Sequence, residues 1–343
     1  MAGGLTACAL ATAAGADTYR FATYNTELSR DGPGLLLRDL VRGKDAQIAA
    51  VLQVIAAGDA DVLALQSFDY DLTGEALSRF AAAAGYPHAF ALRPNTGLAT
   101  GLDMDGDGRF GGPRDAQGYG RFTGQGGMAV LSRFPILADR VQDLSALLWE
   151  DVPDALLPEW DGAPFPSAEA RAAQRLPTTG HWIVPVDLPG GVAEVMVFHA
   201  SPPVFDGPED RNGKRNHDEI VLWQHVLYGR VGTAPAGPFV LAGDANLDPV
   251  DGEGIKAAID RLLQDPRLQD ARPEGHAGMD TVDWSGIGLG DMRVSYIFAS
   301  THWRIADSGV LWPGPDEALS EVVDTASRHR LVWVDLALSP PAE

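Results

Sequence analysis

The sequence is poor in cysteine, in basic side chains and in long apolar runs. Its single cysteine, Cys8, leaves no partner for an intrachain disulfide among 343 residues, so cysteine usage is silent about compartment. Lys and Arg total 26 against 47 Asp and Glu, a formal charge of −21. That balance excludes a broad basic grip on nucleic acid. Beyond residue 16 no stretch approaches the roughly 18 uninterrupted apolar residues that would cross a bilayer, so no transmembrane segment is expected. What is present is a folding composition: 45% apolar and only 21% charged, with 39 Gly and 24 Pro that imply many turns and long loops.

Residues 5–14 are small and apolar, end in Ala14-Gly15-Ala16 and precede the polar Asp17. This pattern reads as the end of a secretory signal peptide (1–16) with cleavage after Ala16, and implies a periplasmic or extracellular protein. Against it, no basic residue precedes the apolar stretch, the first being Arg20. Leu5-Thr6-Ala7-Cys8 also matches a lipoprotein cleavage box, with too short a run before it. Residues 17–343 show no linker long or polar enough to divide them and are expected to form one domain.

Short apolar runs bounded by Gly, Pro or polar residues predict strands at 20–25, 61–68, 128–132, 182–186, 194–199, 238–243, 294–300 and 331–338. Ile48, Val51, Leu52 and Ile55 recur at helical spacing within 45–57, Ala76, Leu77 and Phe80 mark a second helix, and Ile220, Trp223 and Leu227 a third over 217–228. Strands alternating with helices in this way predict layered α/β, two sheets packed inside helices. Residues 91–127 and 201–216 resist regular assignment and read as functional loops, with Asn216 as the cap of the third helix.

Several strands end in polar residues: Asn25, His199, Asp244 with Asn246, and His329 just before the last strand. Carboxylates, amides and imidazoles gathered on one rim suit phosphoester chemistry, in which carboxylates hold a hard cation and imidazoles move protons or stabilise charge. Singly, each reads equally as a turn residue or a satisfied polar group.

Their order carries more. Tyr24-Asn25, Leu65-Gln66-Ser67, Phe198-His199, Gly243-Asp-Ala-Asn246, Val294-Ser295-Tyr296-Ile297 and Ser327-Arg328-His329 resemble, in sequence, the motifs of the endonuclease/exonuclease/phosphatase superfamily, in a secreted bacterial branch. The resemblance implies a four-layer α/β sandwich of two mixed β-sheets flanked by helices. It also implies ancestry in Mg²⁺- or Mn²⁺-dependent phosphoester hydrolysis. His199, Asp244, Asn246 and His329 then stand at catalytic positions, Asp244 also at a metal position, and Asn25 at a substrate-binding one.

Three acids of the family pattern are replaced by Ser67, Ser295 and Arg328. A serine hydroxyl contributes far less than a carboxylate to binding Mg²⁺. Arg328 reads either as a bidentate ligand for a phosphate or other anion or as a surface arginine, and Asp69 or Asp71 offer replacement carboxylates. Two functions follow: a phosphoester hydrolase with an altered, impaired centre acting on a small phosphoester, or a non-catalytic module binding an anion, calcium or a protein.

A separate run, Asp103-Met-Asp105-Gly-Asp107-Gly108, matches the start of a calcium loop, with Asp at relative positions 1, 3 and 5 and Gly at 6. The twelfth position is Arg114 instead of a bidentate glutamate, although Asp115 follows. A structural Ca²⁺ ligated by Asp103, Asp105 and Asp107, and an Asp-Gly turn cluster, both fit.

Overall fold

The computed structural model describes residues 17–338, so residues 1–16, expected as a signal peptide, and Cys8 among them lie outside the described residues. Along the chain, β1 (Thr18–Leu28), α1 (Leu35–Arg42), α2 (Ala46–Gly58), β2 (Val62–Phe68), α3 (Glu75–Ala83), β3 (His88–Phe90) and β4 (Gly127–Ser132) come first. Then follow β5 (Gln142–Asp143), β6 (Glu159–Trp160), β7 (Ala163–Pro164), α4 (Ala168–Ala173), β8 (His181–Leu188), β9 (Gly191–His199), α5 (Arg211–Leu227) and β10 (Phe239–Asp244). The last third holds α6 (Ala257–Leu263), β11 (Leu268–Asp270), β12 (Val282–Asp283), β13 (Asp291–Met292), β14 (Ser295–Ser300), β15 (Trp303–Leu311), α7 (Ser320–Ala326) and β16 (Leu331–Leu338).

Both faces of the central strands are buried, so alternate side chains feed two different cores. Tyr19 and Phe21 of β1, Val62 and Ala64 of β2, and Val332 and Val334 of β16 meet Val240 and Ala242 of β10 between the sheets. The intervening Ala22, Tyr24, Leu63 and Leu65 face outward onto Val51, Ile55, Phe80 and Val323 of the helices. On the other side, Met196, Leu241 and Phe298 meet Ile220, Trp223 and Ile259. The result is the expected four-layer α/β sandwich, with sheets ordered β15-β16-β1-β2-β4-β3 and β11-β14-β10-β9-β8-β5.

In each sheet two neighbouring strands run parallel, β1 with β2 and β9 with β10. Their carboxyl ends therefore lie side by side and deliver Asn25, His199 and Asp244 to one rim. Within α2, Asp45 caps the amino end by accepting from the Ile48 amide at 2.9 Å.

The expected start of the third helix is corrected. Residues 211–216 are helical, and Asn216 lies inside α5, donating from Nδ2 to the carbonyls of Ser201 and Ala245 at 2.7 Å each. Helical periodicity is hidden there because the buried residues are polar. Arg215 donates to the carbonyls of Leu176, Gln117 and Arg175, and Glu219 accepts from the Ser201 amide and hydroxyl and the Thr178 amide. Residues 91–127 are largely irregular but pinned, since buried Asn95 donates to the carbonyls of Ser145 and Pro177 at 2.7 Å each.

Candidate active site

Asp244 ends β10 fully buried, and its neighbours across the sheet are His199 on β9 and Ser295 on β14. Gly243 precedes it because β9 comes too close for a side chain: a Cβ there would lie 2.3 Å from the Phe198 carbonyl oxygen. From the facing sheet, Asn25 donates through Nδ2 to Asp244 Oδ2 at 2.7 Å. The same amide nitrogen lies 3.4 Å from His329 Nε2, while His329 Nδ1 stands 3.4 Å and His199 Nε2 3.9 Å from Asp244 Oδ2. Asn246, at φ 49°, turns its backbone amide onto Asp244 Oδ1 at 2.9 Å and ties its side chain to the Ala200 carbonyl. Four residues from four separate segments, Asn25, His199, Asn246 and His329, thus meet around one carboxylate.

Burial dominates the electrostatics. It lowers the pKa of His199, and although the Asp244 charge works the other way, His329 adds to the lowering. His329 is likewise lowered by burial, against Asp244 and Glu27 and with Arg328 and Arg330. Both imidazoles are therefore held toward the neutral form. Three buried polar atoms beside Asp244 find no partner among the described residues: His199 Nδ1, His329 Nδ1 and Ser295 Oγ.

Arg328 points elsewhere than at a free anion. Its Nε donates to Glu27 Oε1 at 2.9 Å, its Nη2 bonds the same oxygen, and its backbone amide donates to Glu27 Oε2 at 2.8 Å. Glu27 Oε2 also accepts from Ser327 Oγ, which bonds the Asn25 carbonyl at 2.8 Å. Burial would raise the Glu27 carboxyl, but the hydrogen bonds from Arg328 and the nearby His329 and Arg328 charges outweigh it and hold the pKa below the usual range. Glu27 is not among the residues expected from the sequence; the signal for it is an acid two residues past Asn25, still within β1.

Neither replacement carboxylate turns inward. Asp69 accepts from the amides of Arg30 and Gly126 at 2.8 Å each, and Asp71 caps α3 through the amides of Glu75 and Ala76. Ser67 is half-buried with φ 56°. Beside Asp244 the donors are therefore amides, imidazoles and a serine hydroxyl, and the second carboxylate is taken up by a guanidinium. Mg²⁺ and Mn²⁺ take oxygen ligands among which one or two carboxylates are the protein's share. Here both Asp244 oxygens accept from Asn25 and Asn246 and both Glu27 oxygens from Arg328, so this donor set does not fit the cation that the resemblance implies.

A cluster that does gather carboxylates lies apart in the 91–127 loop. Asp103, Asp105 and Asp115 each bring one oxygen within 4.8 Å of the others and can in principle hold a metal ion. Asp107 is not among them, which corrects the expected trio: its Oδ1 accepts from the Arg109 amide at 2.7 Å. Buried Asp115 takes part in its stead, oriented by the amides of Met104 and Gly112 at 2.9 and 2.8 Å. Burial and the charges of Asp107, Asp115 and Asp103 raise the Asp105 carboxyl.

The model of the endonuclease/exonuclease/phosphatase family matches residues 22–329. The chain belongs to this family. No curated protein matches it. Among solved structures, it is similar to the endonuclease/exonuclease/phosphatase of Beutenbergia cavernae at 22% identity, covering 95% of this chain and 73% of that one, with a TM-score of 0.58. The family protein from Bacteroides vulgatus follows the chain over 94% of its length and 100% of its own, at 14% identity and a TM-score of 0.54. The human nocturnin catalytic domain, with bound sulfate, gives 16% identity, 95% and 97% coverage and a TM-score of 0.52. At these identities the likeness speaks for the family's fold, and activity has to be argued from the site.

Proposed function

We propose that this family member keeps the phosphate-recognising half of a phosphoester hydrolase centre and has lost much of its hydrolytic capacity. The observation that carries the reading is the trio of partnerless buried polar atoms around Asp244, namely His199 Nδ1, His329 Nδ1 and Ser295 Oγ. Buried polar groups left unpaired are costly, and an oxyanion accepting from imidazole N–H and hydroxyl groups would satisfy them. The sulfate in the nocturnin domain is in keeping with an anion on this scaffold. Asn25 orients Asp244, and Asn246 and His199 complete the pocket. The chain's charge of −21 favours a small phosphoester over a polyanion.

In this reading the chain is exported to the periplasm or beyond, residues 1–16 serving as signal peptide and 17–343 as one domain. The Asp103, Asp105 and Asp115 cluster takes Ca²⁺ as a structural ion, the hard cation its carboxylates suit. A wholly non-catalytic binding role is the second reading, favoured by the Arg328–Glu27 pair.

The test is a titration with inorganic phosphate followed on the histidine imidazole resonances, alongside an assay of bis-nitrophenyl phosphate with Mg²⁺ or Mn²⁺. Phosphate is expected to shift His199 and His329, turnover to be slight, and the combined Ser67→Glu, Ser295→Asp and Arg328→Asp variant to gain turnover. Rapid metal-dependent turnover by the parent, abolished by Asp244→Ala, would overturn impairment, and unmoved imidazoles would overturn phosphate binding.

A further inference from the structure

β1 and β2 are in register at Asn25–Gln66 and again at Leu28–Phe68. Two residues of β1, Thr26 and Glu27, therefore lie against a single residue of β2, Ser67, which is the two-against-one count of a bulge. Both Glu27, at φ 48°, and Ser67, at φ 56°, adopt the left-handed conformation there. The bulge places a carboxylate on β1 opposite the β2 position from which the family acid is missing.

That carboxylate is fully engaged. Glu27 accepts from Ser327 Oγ, from the Arg328 amide and from two nitrogens of the Arg328 guanidinium, a mixed backbone and side-chain grip on the residue next to His329. The guanidinium is a permanent cation with a rigid fork of donors. In the family pattern position 328 is acidic, so this chain has exchanged an acid for a base there and supplied an acid at Glu27.

We propose that Glu27 and Arg328 together replace the family's carboxylate-and-metal pair: Glu27 is the displaced acid, and the Arg328 guanidinium, not a divalent ion, is its resident counter-charge. The inference deepens the loss-of-hydrolysis half of the proposed function and rests on that half, not on phosphate recognition. It assigns Glu27 a positioning role, holding the turn that carries His329 against Asn25, and makes Arg328 the residue that keeps a cation out.

The test uses the full chain in an Asp103→Asn background, which weakens the separate acidic cluster. Mn²⁺ is titrated by calorimetry, and paramagnetic broadening of the His199 and His329 imidazole signals reports ions at the centre. The parent is expected to show no such broadening. Arg328→Ala, which removes a half-exposed side chain, should bind Mn²⁺ at least about tenfold tighter, broaden both imidazoles and lose both effects when Glu27→Gln is added. Arg328→Lys retains the charge and should stay unbroadened; Arg328→Gln repeats the experiment should the alanine variant misfold.

Broadening in the parent would overturn the proposal, as would folded Arg328→Ala and Arg328→Gln variants that take no Mn²⁺. Phosphate binding is scored separately. If the parent ignores phosphate while the metal results come out as expected, the proposed function fails and the counter-ion exchange stands.

Discussion

His181 should make the fold sensitive to acid. It sits fully buried on β8, its Nε2 2.8 Å from the Glu219 carbonyl oxygen and its ring stacked on Trp223 at 5.0 Å between centroids. Burial pulls its pKa from the ordinary 6.5 to about 4, against the hydrogen bonds to the Glu219 and Gly180 backbone, which raise it. The unfolded chain takes up this proton below pH 6.5, whereas the folded chain resists until about pH 4. Over that window the folded form binds fewer protons, so stability present above pH 6.5 is lost as the pH falls toward 4. The difference between the two pKa values is worth about 3 kcal/mol, a large share of the roughly 5–15 kcal/mol that holds a domain together. Urea unfolding of the parent and of His181→Gln, followed by tryptophan fluorescence at pH 6.5 and pH 4, isolates the effect, since every other titrating group is shared. The parent should lose about 3 kcal/mol more than the variant. Equal losses in the two proteins would refute the argument.

Gly243→Ala should destabilise by about 1–3 kcal/mol, measurable by denaturant unfolding, because the added Cβ meets backbone of β9 that cannot yield locally. Arg215→Ala removes the cation near buried Glu219 and the donor to the Leu176 carbonyl, while the Gln117 and Arg175 carbonyls keep Gln174 Nε2, so a loss of about 3–5 kcal/mol, dominated by the uncompensated carboxylate, is expected in the same assay. Asn25→Ala strips Asp244 of its shortest hydrogen bond, which should cost about 1.5–3 kcal/mol and abolish the phosphate-induced shift of the His329 resonances. Excess Ca²⁺ should raise the parent's melting temperature, by a stabilisation of about 2.7 kcal/mol at a hundredfold excess over Kd, EGTA should reverse it, and Asp115→Asn should remove most of the response.

The layered fold was readable from the chain alone because its central strands are short apolar runs with polar ends, and local pattern is enough to mark them. Asn25, His199, Asp244, Asn246 and His329 were legible for the same reason: each flanks an apolar run, although β1 continues past Asn25 to Leu28. Local pattern failed where buried residues are polar. Arg215 and Asn216 look like part of a polar loop in sequence, yet they are helical, and they and Glu219 are buried because distant carbonyls and amides satisfy them.

Spacing along the loop marked Asp103 and Asp105 but picked Asp107 where folding brings Asp115, since the return of the chain, and not its numbering, sets which oxygens converge. Composition and motif order thus determined the architecture and most of the residues at the rim. Only the tertiary structure decided their charge balance. Glu27 and Arg328 lie 301 positions apart, and it is the antiparallel pairing of β1 with β16, the first strand with the last, that brings a carboxylate and a guanidinium from such distant segments into contact.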